Sequence, residues 1–205
     1  MYSGIDVSSW QGTIDWAMVA GAGIDFAIIK AGGSDGGAYQ DKNFINNVWW
    51  ATVNGIHCGA YYFVGKSCKS AKAGLENAQR FEKILKQVVL EYPVYIDFEA
   101  PDSTNKQGNT DACKAFCDYL ESKMYYVGIY ASDISGFKDR LYLDRLNAYD
   151  KWVARYGSQP KYVKQYGIWQ CSSSGMVDGI KGRVDKDISY KDYPAIIRAN
   201  HLNGF

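Results

Sequence analysis

What most constrains this chain is a strand–helix alternation that runs through its first two thirds and then breaks off. Residues 4–8 read as a short strand ending near an acid. Residues 14–20 set Trp16, Val19 and Ala20 at helical spacing before Gly21 and Gly23 stop the helix. Residues 26–31 form a nearly unbroken apolar run, as in a strand covered on both faces. Gly32 to Gly37 is a glycine-rich loop without the order of a phosphate-binding motif. From Asp41 a helical pattern puts Phe44, Ile45, Val48 and Trp49 on one side and ends at Gly55. A strand over 56–64 follows, then a long helix opening at Ser70 that carries Leu75, Ala78, Phe81, Ile84, Leu85 and Val88. Pro93 closes that pattern ahead of the next strand. Thr110 is the expected N-cap of a helix with Ala112, Ala115, Phe116, Tyr119 and Leu120 facing inward. A strand over 125–130, a helix over 141–149 and a strand over 151–156 complete the regular part. Beyond it, 166–171 and 183–185 read as strands joined by loops alone, and the tail from Tyr190 as a final helix running into a frayed end.

Parallel strands joined by helices need helices on both faces of an open sheet, or a closed barrel. Eight strand candidates favour the barrel. The expected fold is therefore α/β: a single-domain, irregular (β/α) TIM-like barrel whose last strands lack crossover helices. One domain should span residues 1–205, with about 191–205 as a terminal helix or tail.

In such a barrel the carboxyl ends of the strands converge on one mouth, where catalysis takes place. The stretch Tyr-Pro-Val-Tyr-Ile-Asp-Phe-Glu-Ala, residues 92–100, ends a strand with Asp97 and Glu99. Side chains two apart share a strand face, so these acids lie together and Phe98 opposes them. Asp6 ends the first strand and Asp185 sits on the last. Four carboxylates at three strand ends point to an acid cluster in which proximity and burial raise a pKa; a structural ion network is the competing reading. Tyr62 and Tyr130 fall at two further strand ends, and Trp152 and Trp169 lie on strands.

Elimination narrows the chemistry. The chain has two histidines, His57 early in a strand and His201 in the tail. His57 reads as a packed or hydrogen-bonded core residue and His201 as solvated, so neither a Ser-His-Asp triad nor a histidine-rich zinc site is expected. The five cysteines have no metal-binding spacing and read as reduced thiols, Cys113 and Cys117 as buried apolar residues on one helix face. A formal charge of +1 without a basic run gives no nucleic-acid footprint. No apolar run reaches membrane-spanning length, and no signal-peptide pattern precedes the first strand. Carboxylates without histidine, in a chain with 17 Tyr and 6 Trp, suit a glycoside hydrolase. A Mg²⁺- or Ca²⁺-dependent hydrolase on the same acids, and a non-catalytic polysaccharide-binding module, are the alternatives.

An ordered series of motifs makes the same case independently. Gly-Ile-Asp-Val-Ser-Ser-Trp-Gln-Gly (4–12), Ile-Asp-Trp (14–16), Ile-Ile-Lys-Ala (28–31), Gly-Ala-Tyr-Tyr-Phe (59–63) and Ile-Asp-Phe-Glu (96–99) come first. Gly-Ile-Tyr (128–130), Trp-Val-Ala-Arg-Tyr (152–156), Trp-Gln (169–170) and Gly-x-Val-Asp (182–185) follow. In this order they resemble the family 25 lysozymes, the Chalaropsis-type muramidases, over nearly all of residues 4–190. The resemblance implies hydrolysis of the β-1,4 bond between N-acetylmuramic acid and N-acetylglucosamine in peptidoglycan, with no cofactor or metal. It implies Glu99 as general acid, Asp97 beside it, and Asp6 and Asp185 as the other acids. Lys30, Tyr62, Tyr130, Trp152 and Trp169 would contact substrate. Two departures stand out: Lys-Ala-Gly-Gly after the second strand where many relatives have Lys-Ala-Thr-Glu-Gly, and Asp187, which competes with Asp185 for its role. The implied partner is the peptidoglycan glycan strand, with a wall-binding domain after Phe205 as a further expectation. The expected route is synthesis in the cytoplasm and endolysin-like release, with a secreted autolysin as the alternative.

Overall fold

The computed structural model describes all of residues 1–205. β1 (Tyr2–Val7) pairs in parallel with β2 (Phe26–Gly33), Asp6 opposite Ile28. Between them crosses α1 (Trp16–Gly21), whose N-cap Asp15 accepts from the Met18 amide. A two-residue strand, β3 (Tyr39–Gln40), doubles back antiparallel on β2 over the glycine-rich stretch. α2 (Phe44–Val53) then leads to β4 (His57–Phe63), and α3 (Ala71–Leu85), capped by Ser70, leads to β5 (Val94–Asp97). α4 (Lys106–Ser122) precedes β6 (Val127–Ser132), and β7 (Asp150–Ala154), β8 (Ile168–Gly175) and β9 (Val184–Ser189) close the sheet. Seven of the eight barrel strands run parallel in the order β1-β2-β4-β5-β6-β7-β8, and β9 fits antiparallel between β8 and β1. An antiparallel last strand needs only a loop to reach its neighbour, so no crossover helix is required between β8 and β9.

Strand alternation divides the apolar residues into two layers. Ile5, Val7, Ala27, Ile29, Ile96 and Phe98 point outward into the larger cluster, which includes Phe81 of α3 and Phe116 of α4. Phe26, Ile28, Tyr95, Tyr130, Trp152 and Ile168 point inward and fill the barrel. Gly4 is required at its position: a Cβ there would lie 2.2 Å from the Phe26 ring. Cys113 and Cys117 are fully buried on the inner face of α4, and all five cysteines are free thiols.

Four expectations are corrected. Thr110 is not an N-cap: α4 begins a turn earlier, Asn105 capping it through the Gly108 amide. The Thr110 hydroxyl instead accepts from Tyr142 N at 2.9 Å and ties down the following loop. The α-helix expected over 141–149 is a 3₁₀ turn, Leu143–Leu146, after a π-turn, Asp133–Lys138. Leu141, Leu146 and Tyr149 still bury, so the apolar spacing marked an inward face without fixing the helix type. Trp49, expected on the apolar side of α2 with Phe44, Ile45 and Val48, is 64% exposed. The tail is not frayed. α5 (Tyr193–Ala199), capped by Asp192, lays Tyr193 against Tyr92 at 5.2 Å across the amino-terminal end of the barrel. Asn203 then accepts from Tyr126 N and donates to Tyr92 O, both at 2.8 Å.

A buried acid replaces the missing helix between β7 and β8. Asp133, 2% exposed, accepts from the amides of Lys161, Tyr162 and Val163 at 2.7, 3.0 and 2.9 Å and pairs with Arg155 at 3.0 Å. Burial pushes its carboxyl up, but those bonds outweigh it and hold the pKa below the usual value.

Candidate active site

With the amino-terminal end plugged by α5, the carboxyl ends of the parallel strands form the open mouth. Asp6 reaches it from β1, Lys30 from β2, Tyr61 and Phe63 from β4, and Asp97 and Glu99 from β5. Tyr130 comes from β6, Trp152 from β7, Gln170 from β8 and Asp185 from the start of β9.

Trp152 is the floor. Its ring sits 4.3 Å from Tyr130, 5.4 Å from Tyr95 and 6.0 Å from Tyr61, and its Nε1 donates to Asp187 Oδ1 at 2.8 Å. Above it Gln170, 1% exposed, organises one wall. Its Nε2 donates to Asp6 Oδ2 at 2.7 Å and Asp185 Oδ2 at 3.2 Å, and its Oε1 accepts from Tyr130 and Tyr156 hydroxyls at 2.8 and 3.2 Å. All four capacities of that amide are used, so it has one orientation.

The opposite wall carries Asp97 and Glu99. Asp97 is 4% exposed and its Oδ1 has no hydrogen-bond partner. Burial first, and the Glu99 charge second, hold its carboxyl well above the usual range, while Lys30 pulls it down. Glu99 stands at the rim with its main-chain carbonyl accepting from Arg140. Desolvation raises its pKa and Asp185 adds to this, against Lys30 and Arg140. Lys30 Nζ lies over Phe63, 4.7 Å from the ring centroid, and 5.9 Å from that of Tyr61. One deeper pair completes the set. Asp187, buried, is pushed up to about 8, and Asp6 is raised well above its usual value by burial and then by Asp187 and Asp185. These carboxyls disfavour ionisation of one another, and Asp187, at about 8, keeps its proton at neutral pH. No three of its acids converge in metal-ligating geometry.

The mouth brings together Asp6, Asp97, Glu99, Asp185, Lys30, Tyr130 and Trp152. Asp185 faces Asp6 across the β1–β9 ladder, whereas Asp187 pairs with Gly4 one step deeper. Two expected contact residues lie elsewhere. Tyr62 points outward, packing on Phe81 at 5.5 Å and donating to Gly33 O at 2.8 Å. Trp169 pairs with outward-facing Val153 and donates from Nε1 to Arg155 O at 2.7 Å. Tyr61 takes the inward position, and a strand buried on both faces leaves nothing in a Tyr-Tyr pair to distinguish them. Gln170 was legible as a polar residue inside an apolar strand, yet its role depends on Asp6, 164 residues away. His57 is hydrogen-bonded, to Glu91 at 2.5 Å, but does not lie in the core: its side chain is 40% exposed at the plugged end.

Comparisons with known proteins bear on the family and the fold. A model of the glycosyl hydrolases family 25 matches residues 5–180. An autolytic lysozyme of Clostridium acetobutylicum is 29% identical over 189 residues, covering 90% of this chain, which spans 54% of that protein's length. Lysozyme M1 of Streptomyces globisporus is 26% identical over 204 residues, covering 90% of this chain and 66% of its own length. Among solved structures, the CTP1L endolysin superposes with a TM-score of 0.84 at 25% identity, over 97% of this chain and 70% of that one. The modular autolysin LytC of Streptococcus pneumoniae, in complex with a synthetic peptidoglycan ligand, gives 0.79 at 25% identity, over 92% and 46%.

Proposed function

This chain belongs to the glycosyl hydrolases family 25, and from that premise we propose that it is a muramidase, cutting the β-1,4 bond between N-acetylmuramic acid and N-acetylglucosamine in bacterial peptidoglycan. The observation that carries the reading is the pairing of Asp97 and Glu99 on one face at the end of β5, with both pKa values raised, above an aromatic floor. Glu99, at the rim, protonates the leaving glycosidic oxygen in this reading. Asp97 is placed to receive the N–H of the sugar's 2-acetamido group, because its buried Oδ1 lacks any donor within the protein. Burial and the Glu99 charge raise Asp97 in the free protein. A substrate N–H at Oδ1, with Lys30 nearby, would stabilise its ionised form and leave proton donation to Glu99. The oriented acetamido carbonyl oxygen then attacks the anomeric carbon as the bond to the leaving oxygen breaks; water, giving its proton back to Glu99, next attacks that carbon, releases the acetamido oxygen and leaves the reducing end. Asp6 and Asp185, held by Gln170, line the opposite wall.

The reading places the chain's action at the bacterial wall, with a wall-binding domain as its expected companion. No helix is long and apolar enough to cross a membrane. Digestion of purified peptidoglycan by this chain and by Glu99→Gln, with EDTA present, tests the reading. New reducing N-acetylmuramic acid ends from the parent, and almost none from the variant, are expected by mass spectrometry. No new ends from the parent on several wall types would favour a non-catalytic binding module; activity lost in EDTA and restored by Mg²⁺ would favour a metal-dependent hydrolase.

A further inference from the structure

A groove lies on the molecule outside the mouth. It runs down the flank of the barrel between α1 and α2, encloses about 870 Å³ and is edged by the β8–β9 loop at Lys181. That volume is in the range of small-ligand sites, which are ~300–1,000 Å³. Its upper end begins at Gly12, at the end of the turn that follows β1 and its Asp6. Ser9 N donates to Asp41 Oδ2 at 3.0 Å and fastens that turn to the loop before α2. Trp10, 89% exposed, stands on the turn between mouth and groove. One edge is therefore continuous from the catalytic acids to the flank.

The lining is chemically specific. Asn43, Asn46, Asn47, Trp50 and Asn54 follow one another along α2, and Trp50 is 55% exposed. Asn47 is 6% exposed; its Oδ1 accepts from Trp16 Nε1 at 3.4 Å, which fixes the amide, and its Nδ2 has no partner. An orphaned buried donor is costly unless a ligand or solvent satisfies it. Charge is nearly absent: the Asp15 carboxylate caps α1 and Lys181 sits at the edge. An exposed indole face, that of Trp50, with amide groups beside it suits the apolar C–H face and acetamido groups of an amino sugar, and the lack of free charge suits a neutral chain.

We propose that this groove is a second glycan-binding site, which holds a β-1,4-linked N-acetylhexosamine strand against the flank of the barrel while another part of the polymer occupies the mouth. The identity of the glycan rests on the muramidase reading. A polymer held at two places dissociates more slowly than one held at either. Its contribution should therefore show on insoluble peptidoglycan and not on short fragments.

The test uses Trp50→Ala and Asn46→Ala, both at exposed helix positions. In the Glu99→Gln background, binding is read by co-sedimentation with purified sacculi and by NMR titration with a soluble N-acetylglucosamine hexamer. A roughly tenfold weaker sacculus affinity for Trp50→Ala is expected, with hexamer-induced shifts at Asn46, Asn47 and Trp50 in the parent. In the active background, Trp50→Ala should slow sacculus digestion by a similar factor and leave kcat/KM on a soluble two-disaccharide fragment unchanged. Unaltered sacculus binding and digestion would overturn the proposal. So would light scattering that shows a parent dimer split by Trp50→Ala, which would make the groove an interface between copies. A parent that binds the hexamer in the groove but releases no reducing ends would overturn the muramidase reading alone.

Discussion

Asp6 and Asp185 occupy directly paired positions where β1 and β9 run antiparallel, and one amide group, Nε2 of Gln170, donates to both. Two carboxylates at adjacent strand positions repel unless a donor or a proton lies between them. Gln170 supplies the donor, and is itself locked by two tyrosine hydroxyls.

Gln170→Leu keeps the volume and removes the donor. The fold should persist, and kcat/KM on soluble glycan should fall roughly tenfold to a hundredfold, in the range seen when one positioned donor is lost. Because Gln170 touches Asp6 and not the scissile bond, the acid limb of the pH profile should move as well. An unchanged profile with full activity would show that the amide only fills space.

Glu99 must be protonated to act, so activity should fall as pH rises through its raised pKa. Glu99→Gln should retain less than about a hundredth of parental activity. Lys30 lowers the pKa of both Glu99 and Asp97. Lys30→Met should therefore move the alkaline limb of kcat/KM to higher pH, a shift that a role in substrate contact alone would not produce.

Asp187 links the cluster to stability. Its folded pKa of about 8 lies above the ~3.9 of an unfolded aspartate. Between those values the folded state binds the extra proton, so stability is fully present below the lower and is lost as pH rises toward the higher. Asp187→Asn keeps an acceptor for Trp152 and removes the titration. Thermal melts from pH 4 to 9 should show a shallower decline for the variant than for the parent.

Tyr61 and Tyr62 should separate function from stability. Tyr61→Ala opens the mouth beside Trp152 and should raise KM severalfold with little change in fold. Tyr62→Phe loses the bond to Gly33 O and should cost about 1 kcal/mol of stability with kcat/KM unchanged. The reverse pattern would place Tyr62 in the cleft.

Asp133→Ala leaves three amides and Arg155 without their acceptor. A loss of about 3–5 kcal/mol is expected in urea unfolding, together with early proteolysis in residues 155–167. The folded pKa of Asp133 is depressed, so its contribution is present above the unfolded pKa and disappears as pH falls through the folded one. Parent and variant should converge in stability on acidification.

The strand–helix alternation was enough to set out a barrel whose helices stop, because buried parallel strands and amphipathic helices impose different spacings on the same apolar residues. The shared face of Asp97 and Glu99 was equally legible, since alternation along a strand is local geometry. What stayed hidden involved partners far apart in the chain. Thr110 looks like a cap until Tyr142 arrives to use its hydroxyl, and the tail looks frayed until Asn203 finds Tyr92 and Tyr126.

By itself, then, the sequence determined which residue types reach the mouth: acids at the strand ends, aromatics behind them and no histidine among them. Only the tertiary structure decided which of two adjacent aromatics faces inward, which of Asp185 and Asp187 opposes Asp6, and that Gln170 joins the acids. The reason is physical. A strand covered on both faces is apolar on both, so its inward side is set by register with its neighbours. The pKa values that make acids catalytic depend on charges and burial contributed by strands that meet only when the barrel closes.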